Sequence, residues 1–195
     1  MGKIFVIAIS AMLIIAISCK KDANSISSSS VEQSTNQTQT FTIGQRYGGG
    51  IIFYIDSTGQ HGLIADTADL PRAIWCNPLN NLQFATGATA TGIGKGKANT
   101  RKIVKAQGDS GVYAARECWK SKRGGYKDWF LPSRDELNEM NKQRAVLTGI
   151  ANGLYWASTE STPIDAWQIA LCCDNWWEGE ASKQNYTYVR AIRAF

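Results

Sequence analysis

The chain has 195 residues, a formal net charge of +5 and a single histidine. One histidine excludes a histidine-rich zinc site, and no serine or cysteine stands in a recognisable nucleophile motif. The positive charge is modest and no nucleic-acid-binding motif accompanies it, so we expect no nucleic-acid partner, and neither a metal nor another cofactor.

The N-terminus indicates export. Lys3 precedes an uncharged apolar run over residues 4–17, which is too short for a membrane span and is typical of a signal peptide. The run ends in small residues before Cys19, which resembles the lipobox of bacterial lipoproteins, although an ordinary signal peptide with an incidental cysteine is the alternative. We expect a signal peptide over residues 1–18 and a membrane anchor of lipid on Cys19. Lys20 after that cysteine favours an outer-membrane lipoprotein over one retained in the inner membrane; we expect it at the cell surface, although Lys20 leaves the leaflet open.

Two further regions follow the signal peptide. Residues 19–40 begin with the lipidated cysteine and are rich in Ser, Thr, Gln and Asn, so they predict an unfolded tether. Aromatic, glycine and β-branched residues begin at Phe41 and continue to the end of the chain. Residues 41–195 are long enough for one globular domain with its own core.

The predicted elements of that domain begin with a hairpin. Residues 51–55 and 62–65 are apolar β-branched runs, and the turn sequence 57–60 lies between them. Helical signals cover residues 101–107, capped by Asn99 or Thr100, and residues 112–122.

The clearest local signal is a capping box. Ser133 is followed three residues later by Glu136, which predicts a helix from Arg134 to about Arg144. Strands are then predicted over 154–158, 166–173 and 187–195, the second of them by alternation of apolar residues. Strands, two or three helices and further strands make an α+β domain.

Charge is unevenly distributed along the domain. Between Lys95 and Lys127 ten Lys or Arg residues face only Asp109 and Glu117. Two solvated helix faces would account for this stretch, and so would a binding patch for polyanions such as sulfated glycans. Both interpretations stay open at this point.

The remaining reactive residue types favour structural roles. His61 follows a turn and reads as a surface residue, and the glycine-rich segment 92–97 lacks the spacing of a phosphate-binding loop. Four cysteines follow Cys19, and an exported protein could pair them in three ways. Those cysteines are Cys76, Cys118, Cys172 and Cys173.

Aromatic residues give the best indication of a binding site. Trp129, Trp156 and Trp167 lie in apolar or strand patterns typical of a core. Trp176 and Trp177 lie instead in a polar, turn-like segment, where exposed aromatic rings could stack on sugars or anchor a protein, unless one ring folds back onto the core. The predicted ligand contacts are Asn175, Trp176, Trp177, Glu178, Lys183, Asn185 and Tyr186.

Several segments together resemble one known family. They occur in the order 44–55, 94–100, 125–137, 155–160, 166–167 and 188–195. This series is similar to the Lcl C-terminal domain family, and the similarity covers residues 41–195. The resemblance implies a C-type-lectin-like fold that displays a site for a glycan or protein ligand, as in adhesins, and no catalysis. Similar domains are the variable proteins of diversity-generating retroelements, whose diversified surface corresponds here to residues 155–188.

Two departures from related proteins affect the expectations. The Glu-Pro-Asn or Gln-Pro-Asp motif of calcium-dependent lectins is missing, so we expect no calcium-mediated sugar binding. Ala191 stands where many relatives have a cysteine that pairs with the helical one, so the resemblance implies a new partner for Cys118, and Cys76 is the candidate. The alternatives are a cysteine-dependent oxidase of the formylglycine-generating fold and a purely structural envelope lipoprotein.

Overall fold

The computed structural model describes residues 39–80, 85–171 and 177–195. The predicted signal peptide, Cys19 and nearly all of the tether lie outside these residues, as do Cys172, Cys173, Asn175 and Trp176. Thr38–Phe195 forms one compact unit. In the described part of the chain, no helix is long and apolar enough to cross a membrane.

Nine strands and three helices make up the described structure, with short 3-10 turns at Arg123–Gly125 and Arg144–Val146. The strands are β1 (Arg46–Tyr47), β2 (Gly50–Ile55), β3 (Gly62–Asp66), β4 (Leu70–Ala73), β5 (Leu154–Glu160), β6 (Asp165–Ala170), β7 (Glu178–Ser182), β8 (Thr187–Val189) and β9 (Ile192–Ala194). The helices are α1 (Gly96–Gln107), α2 (Ala114–Trp119) and α3 (Arg134–Lys142).

The strands form two sheets. The first is antiparallel with the order β1-β2-β3-β9, and the second has the order β4-β8-β5-β6-β7. The predicted hairpin of β2 and β3 is confirmed, with Ile52 opposite Ile64. Its turn contains Gly59 in the left-handed region, and Asp56 accepts a hydrogen bond from the Thr58 backbone. The α+β class predicted from the sequence is therefore confirmed.

The second sheet separates two clusters of buried side chains. Successive residues of a strand point to opposite faces, so Trp156 packs with α1 and α2 whereas Tyr155 and Ala157 pack with α3. Trp75, Trp129 and Trp156 are fully buried in the first cluster. Trp75 and Trp156 tie strands together, because their indole N–H groups donate to the carbonyls of Ala157 and Ala73.

The chain changes sheets near its C-terminus, so the single strand predicted over 187–195 is wrong. β8 belongs to the second sheet and β9 to the first. Between them lies Arg190, whose side chain is fully buried and whose Nε lies 2.7 Å from Asp69 Oδ1. Its Nη groups donate to the carbonyls of Asp66, Thr148 and Gly149. These contacts fix the point where the chain leaves one sheet for the other.

The predicted capping residues act as expected at the N-terminus of α3 but not at that of α1. The Ser133 capping box is present, with both hydrogen bonds formed, and α3 begins at Arg134 as predicted. α1 begins at Gly96 rather than at 101, because Asn99 and Thr100 are engaged elsewhere, in hydrogen bonds to Ala90 and Leu131. The Glu136 carboxylate accepts a hydrogen bond of 2.8 Å from Gly94, just before α1.

Three strands were not predicted: β1, which has only two residues, and β4 and β7. β4 contains a proline and alternates little, and β7 was read as a turn-like insertion up to residue 179. β7 pairs along its whole length with β6, from Ile169 opposite Glu178 to Asp165 opposite Ser182. This pairing decides where the predicted ligand contacts lie.

Candidate ligand-binding site

The register of the second sheet brings two groups of predicted ligand contacts, Trp177 with Glu178 and Asn185 with Tyr186, to the same end of the strands. Tyr188 lies beside Tyr155, Tyr155 beside Ile169, and Ile169 beside Glu178. Strands lie about 4.8 Å apart, so three spacings place β8 and β7 about 14 Å from each other. The residues just before β7, around Trp177, and those just before β8, Asn185 and Tyr186, therefore lie at the same end of the sheet.

A cavity of about 460 Å³ opens beside β8 at this end. We call it the Tyr186 cavity, after its most exposed aromatic side chain; its volume lies in the range of small-ligand sites. Its lining residues are Arg72, Gly153, Leu154, Gln168, Asn185, Tyr186, Thr187 and Tyr188. They combine two aromatic rings, a guanidinium and two amide groups, which is a set suited to a polar ligand with a flat apolar face.

The Tyr188 ring forms a fixed wall of this cavity. It stacks on Tyr155, with 5.3 Å between the ring centroids, and the Arg72 guanidinium lies 5.2 Å from its centroid. Gly153 lies against the same ring, since a Cβ there would stand 2.6 Å from Tyr188 Cε2. The backbone thus approaches Tyr188 at a distance that only glycine allows.

Polar groups line the inner part of the cavity. The Gln168 side chain is 1% exposed, and its Nε2 lies 3.4 Å from Thr187 Oγ1. At the rim, Arg72 donates to the Tyr186 carbonyl, and Tyr186 itself is 61% exposed. A buried amide below an exposed ring provides hydrogen bonds and stacking in one place.

A second polar group lies between β7 and α3. The Arg134 guanidinium pairs with Glu178 and lies 3.9 Å from the Trp167 ring centroid. Asn138 Nδ2 donates to Glu178 Oε2 at 2.8 Å. The hydrogen bonds from Arg134, above all, lower the pKa of Glu178, so this carboxylate stays ionised and tied to α3.

The structure separates the predicted contacts into different environments. Asn185 and Tyr186 line the Tyr186 cavity. Trp177 is 46% exposed at the same end of the sheet, three strands away beside β7. Glu178 is engaged by α3, as described above. Asn175 and Trp176 lie outside the described residues.

The prediction for Lys183 is wrong. Its side chain is 1% exposed, with Nζ 2.6 Å from Glu160 Oε1 and 2.7 Å from the Pro163 carbonyl. The ammonium also lies 4.7 Å from the Trp75 ring centroid. β7 carries Lys183 into the interior at its end, so this residue stabilises the fold and does not contact a ligand.

The sequence reasoning missed six of the eight lining residues, of which Tyr188, Arg72 and Gln168 matter most. Tyr188 stood in the strand predicted over 187–195 and was given no ligand role, and Arg72 lay in the unrecognised β4. Gln168 carried the clearest unused signal, since it is a polar residue between Ala166 and Ala170 on one face of a buried strand. Such a side chain indicates a polar partner or a cavity.

The cysteine pair proposed from the resemblance is not formed. Cys76 and Cys118 are both buried free thiols, and the Cys76 Sγ lies 3.3 Å from the Lys183 carbonyl oxygen. Burial raises the pKa of both thiols, most strongly that of Cys118 in α2. Both are therefore protonated at neutral pH, packed in the core.

Some charges of the basic stretch form ion pairs, and others form none with the described residues. Arg116 and Lys120 pair with Asp109 and Glu117 near α2. On α1 the exposed side chains of Lys97, Arg101 and Lys105 recur every four residues, and α1 contains no acidic residue. These three cations therefore share one face of the helix.

Two comparisons bear on identity. No protein-family model and no curated protein sequence matches this chain. Within the described residues, no group of three or more His, Cys, Asp or Glu side chains is placed to hold a metal ion. The geometry of the described residues is therefore the basis for any functional assignment.

Proposed function

We propose that the chain is an exported cell-surface lipoprotein whose C-terminal domain, of C-type-lectin-like fold, binds a glycan or protein ligand. The anchor would be a lipid on Cys19, and the binding site the Tyr186 cavity. The observation that carries this proposal is the exposed Tyr186 ring beside a buried amide, that of Gln168, in a cavity of about 460 Å³.

The chemistry of the cavity favours a glycan among the two ligand classes. Sugar rings present an apolar face that stacks on tyrosine and a rim of hydroxyl groups that bind amides and guanidinium groups. Tyr186 provides the ring on which the apolar face can stack, and Gln168 and Arg72 provide the groups that bind the hydroxyls. Because the Tyr188 ring is already held in place, ligand binding would lose less side-chain conformational entropy there.

The alternative reading, a thiol oxidase, receives little support from the described cysteines. A reactive cysteine needs a depressed pKa and access to solvent. Cys76 and Cys118 are buried, and burial raises the pKa of each. A ligand-binding role uses the exposed residues of the domain and requires no thiolate.

The cations of α1 that form no ion pair with a described residue support a second, electrostatic contact with polyanions. Like charges four residues apart destabilise a helix slightly, so Lys97, Arg101 and Lys105 gain from an anionic partner. Binding at this face should weaken steeply with salt, because exposed charges are screened within about 10 Å at 0.1 M. Binding in the Tyr186 cavity should depend less on salt.

A glycan array probed with the soluble domain, residues 41–195, tests the main proposal. Tyr186→Ala should abolish the signal, whereas Ile164→Ala should leave it unchanged. Ile164 is the matched control because it is 50% exposed and directly precedes β6, at the end of that strand away from Ala170, which pairs with Leu154 of the cavity. A glycan signal that survives Tyr186→Ala contradicts the site, and pull-down from envelopes then tests a protein ligand.

The anchor is tested separately. Cells expressing the full chain should incorporate labelled palmitate into it, and Cys19→Ala should abolish the label. Labelling that persists without Cys19 contradicts lipidation at that residue, while the proposal for the Tyr186 cavity is unaffected.

A further inference from the structure

The exposed side of α1 presents only cations and small side chains. Of the six exposed residues of this helix, four are Lys or Arg and two are alanine. Successive residues of a helix are rotated by about 100°, so these cations spread over a broad arc of its surface. We call this surface the α1 face; it consists of Lys97, Ala98, Arg101, Lys102, Lys105 and Ala106.

Most of the charge on the α1 face has no partner within the protein. Lys102 Nζ donates to the Gly87 carbonyl at 2.8 Å. In the described part of the chain, no hydrogen bond or ion pair engages the other three cations. Asp128 lies near Lys97, but Arg193 already holds it through two hydrogen bonds, of 2.8 and 3.0 Å. The face therefore stays positive and open to an outside partner.

The N-terminal end of α1 lies beside the point where the chain enters the domain. At that point the Gln39 carbonyl accepts a hydrogen bond of 3.4 Å from Gln60 Nε2, and the ring centroids of Phe41 and Phe195 lie 4.6 Å apart. Phe195 lines a cavity of about 300 Å³ together with Gly94, which is two residues before α1. The start of the domain and the start of α1 are therefore neighbours across this small cavity.

The lipid anchor proposed on Cys19, on which this inference rests, keeps the domain near a membrane. Residues 19–38 join the anchor to the compact unit, and a chain of that length spans at most about 70 Å. A contact between the tethered domain and the bilayer is then intramolecular, so the effective concentration of the two partners is high. Because the attachment is beside α1, the α1 face can reach the bilayer surface.

Anionic lipid headgroups match the α1 face in charge and in shape. A bilayer presents its phosphate groups over a broad surface, which suits cations that are spread over an arc, and the alanines between them leave room for close approach. Each Lys or Arg near an anionic bilayer raises the affinity about fivefold. A sulfated glycan has the same charge, but the bilayer is the polyanion that the anchor holds within reach. We propose that the α1 face docks on the anionic surface of the membrane that carries the anchor.

Co-sedimentation with vesicles tests this contact. The protein is residues 19–195 carrying Cys19→Ala, so that neither the signal peptide nor a lipid holds it on the vesicles. It should bind vesicles of phosphatidylglycerol and not those of phosphatidylcholine, and added salt should release it. The double variant Arg101→Gln with Lys105→Gln should bind phosphatidylglycerol about thirtyfold more weakly, because each lost cation costs about fivefold. Both side chains are exposed, so this variant keeps the fold.

Lys122→Gln with Lys142→Gln is the matched control, because it removes the same charge from exposed positions outside α1 and should bind like the wild type. The proposal is overturned if phosphatidylglycerol vesicles do not bind, if phosphatidylcholine vesicles bind equally well, or if the two double variants bind alike. Retention on heparin without vesicle binding would assign the α1 face to sulfated glycans instead. The lipid is missing from this protein, so vesicle binding and the palmitate label on Cys19 can fail independently.

Discussion

The Lys183 ammonium lies 2.6 Å from Glu160 Oε1, and the two side chains are only 1% and 3% exposed. The Glu160 carboxylate also accepts hydrogen bonds of 2.9 Å from the backbone N–H groups of Thr86 and Gly87. This ion pair joins the residue after β7, the end of β5 and the loop before α1. It is a structural connection between segments that are distant in the sequence.

Removing one partner of this pair should be costly. Lys183→Met leaves the Glu160 charge buried without its cation, which is expected to lower the free energy of unfolding by about 3–5 kcal/mol. Urea unfolding at pH 7 measures this. Lys142→Met, which breaks an exposed pair with Glu139, should cost less than about 1 kcal/mol. Equal effects of the two variants would contradict a structural role for Lys183.

The close approach of Gly153 to Tyr188 predicts an overpacking effect. In Gly153→Ala the new Cβ would stand 2.6 Å from the ring, so the ring must move and the unfolding free energy should fall by about 1–3 kcal/mol. Gly92→Ala is the matched control, because its Cβ would meet nothing closer than 3.8 Å. Thermal unfolding that shows no difference between the two variants would mean that the Tyr188 wall is mobile.

The pairing of Glu178 predicts a pH dependence of stability. Hydrogen bonds from Arg134 lower its pKa below the ordinary value of 4.5, so its contribution is fully present above that value and is lost as the pH falls through the folded-state pKa. Glu178→Gln should therefore lower stability at pH 7 by about 1 kcal/mol, and by less at pH 3. Urea unfolding at both pH values checks this.

Glu180 provides the control for that measurement. It lies on the same strand and is exposed. Glu180→Gln also removes one negative charge, and its effect on stability should be close to zero at both pH values. A pH-dependent loss that is the same in the two variants would assign the effect to net charge and not to the Arg134 pair.

The burial of Cys76 and Cys118 predicts slow thiol chemistry. Both thiols should resist alkylation by iodoacetamide in the native protein at pH 7.5 and react fully in urea, because burial hides them and raises the pKa of each. Peptide mapping by mass spectrometry separates them from Cys172 and Cys173. A peptide that links Cys76 to Cys118 would restore the disulfide that the resemblance implies.

Elements with short-range causes were predicted well. The α3 start follows from Ser133 and Glu136, three residues apart, and the β2–β3 hairpin follows from a turn that contains Gly59. The start of α1 could not be predicted in this way. The capping candidates Asn99 and Thr100 form hydrogen bonds to Ala90 and Leu131 instead. At the N-terminus of α1, Glu136, which is 42 residues further along the chain, accepts the hydrogen bond from Gly94.

The sequence by itself determined the α+β class, the hairpin, the third helix and the presence of exposed aromatic residues near the C-terminus, because these depend on periodicity and on hydrogen bonds between near neighbours. Only the tertiary structure decided that Lys183 is buried, that Arg72 joins Tyr186 in one cavity and that the chain changes sheets at Arg190. Each of these depends on which strands pair, and strand pairing joins residues that local patterns do not relate.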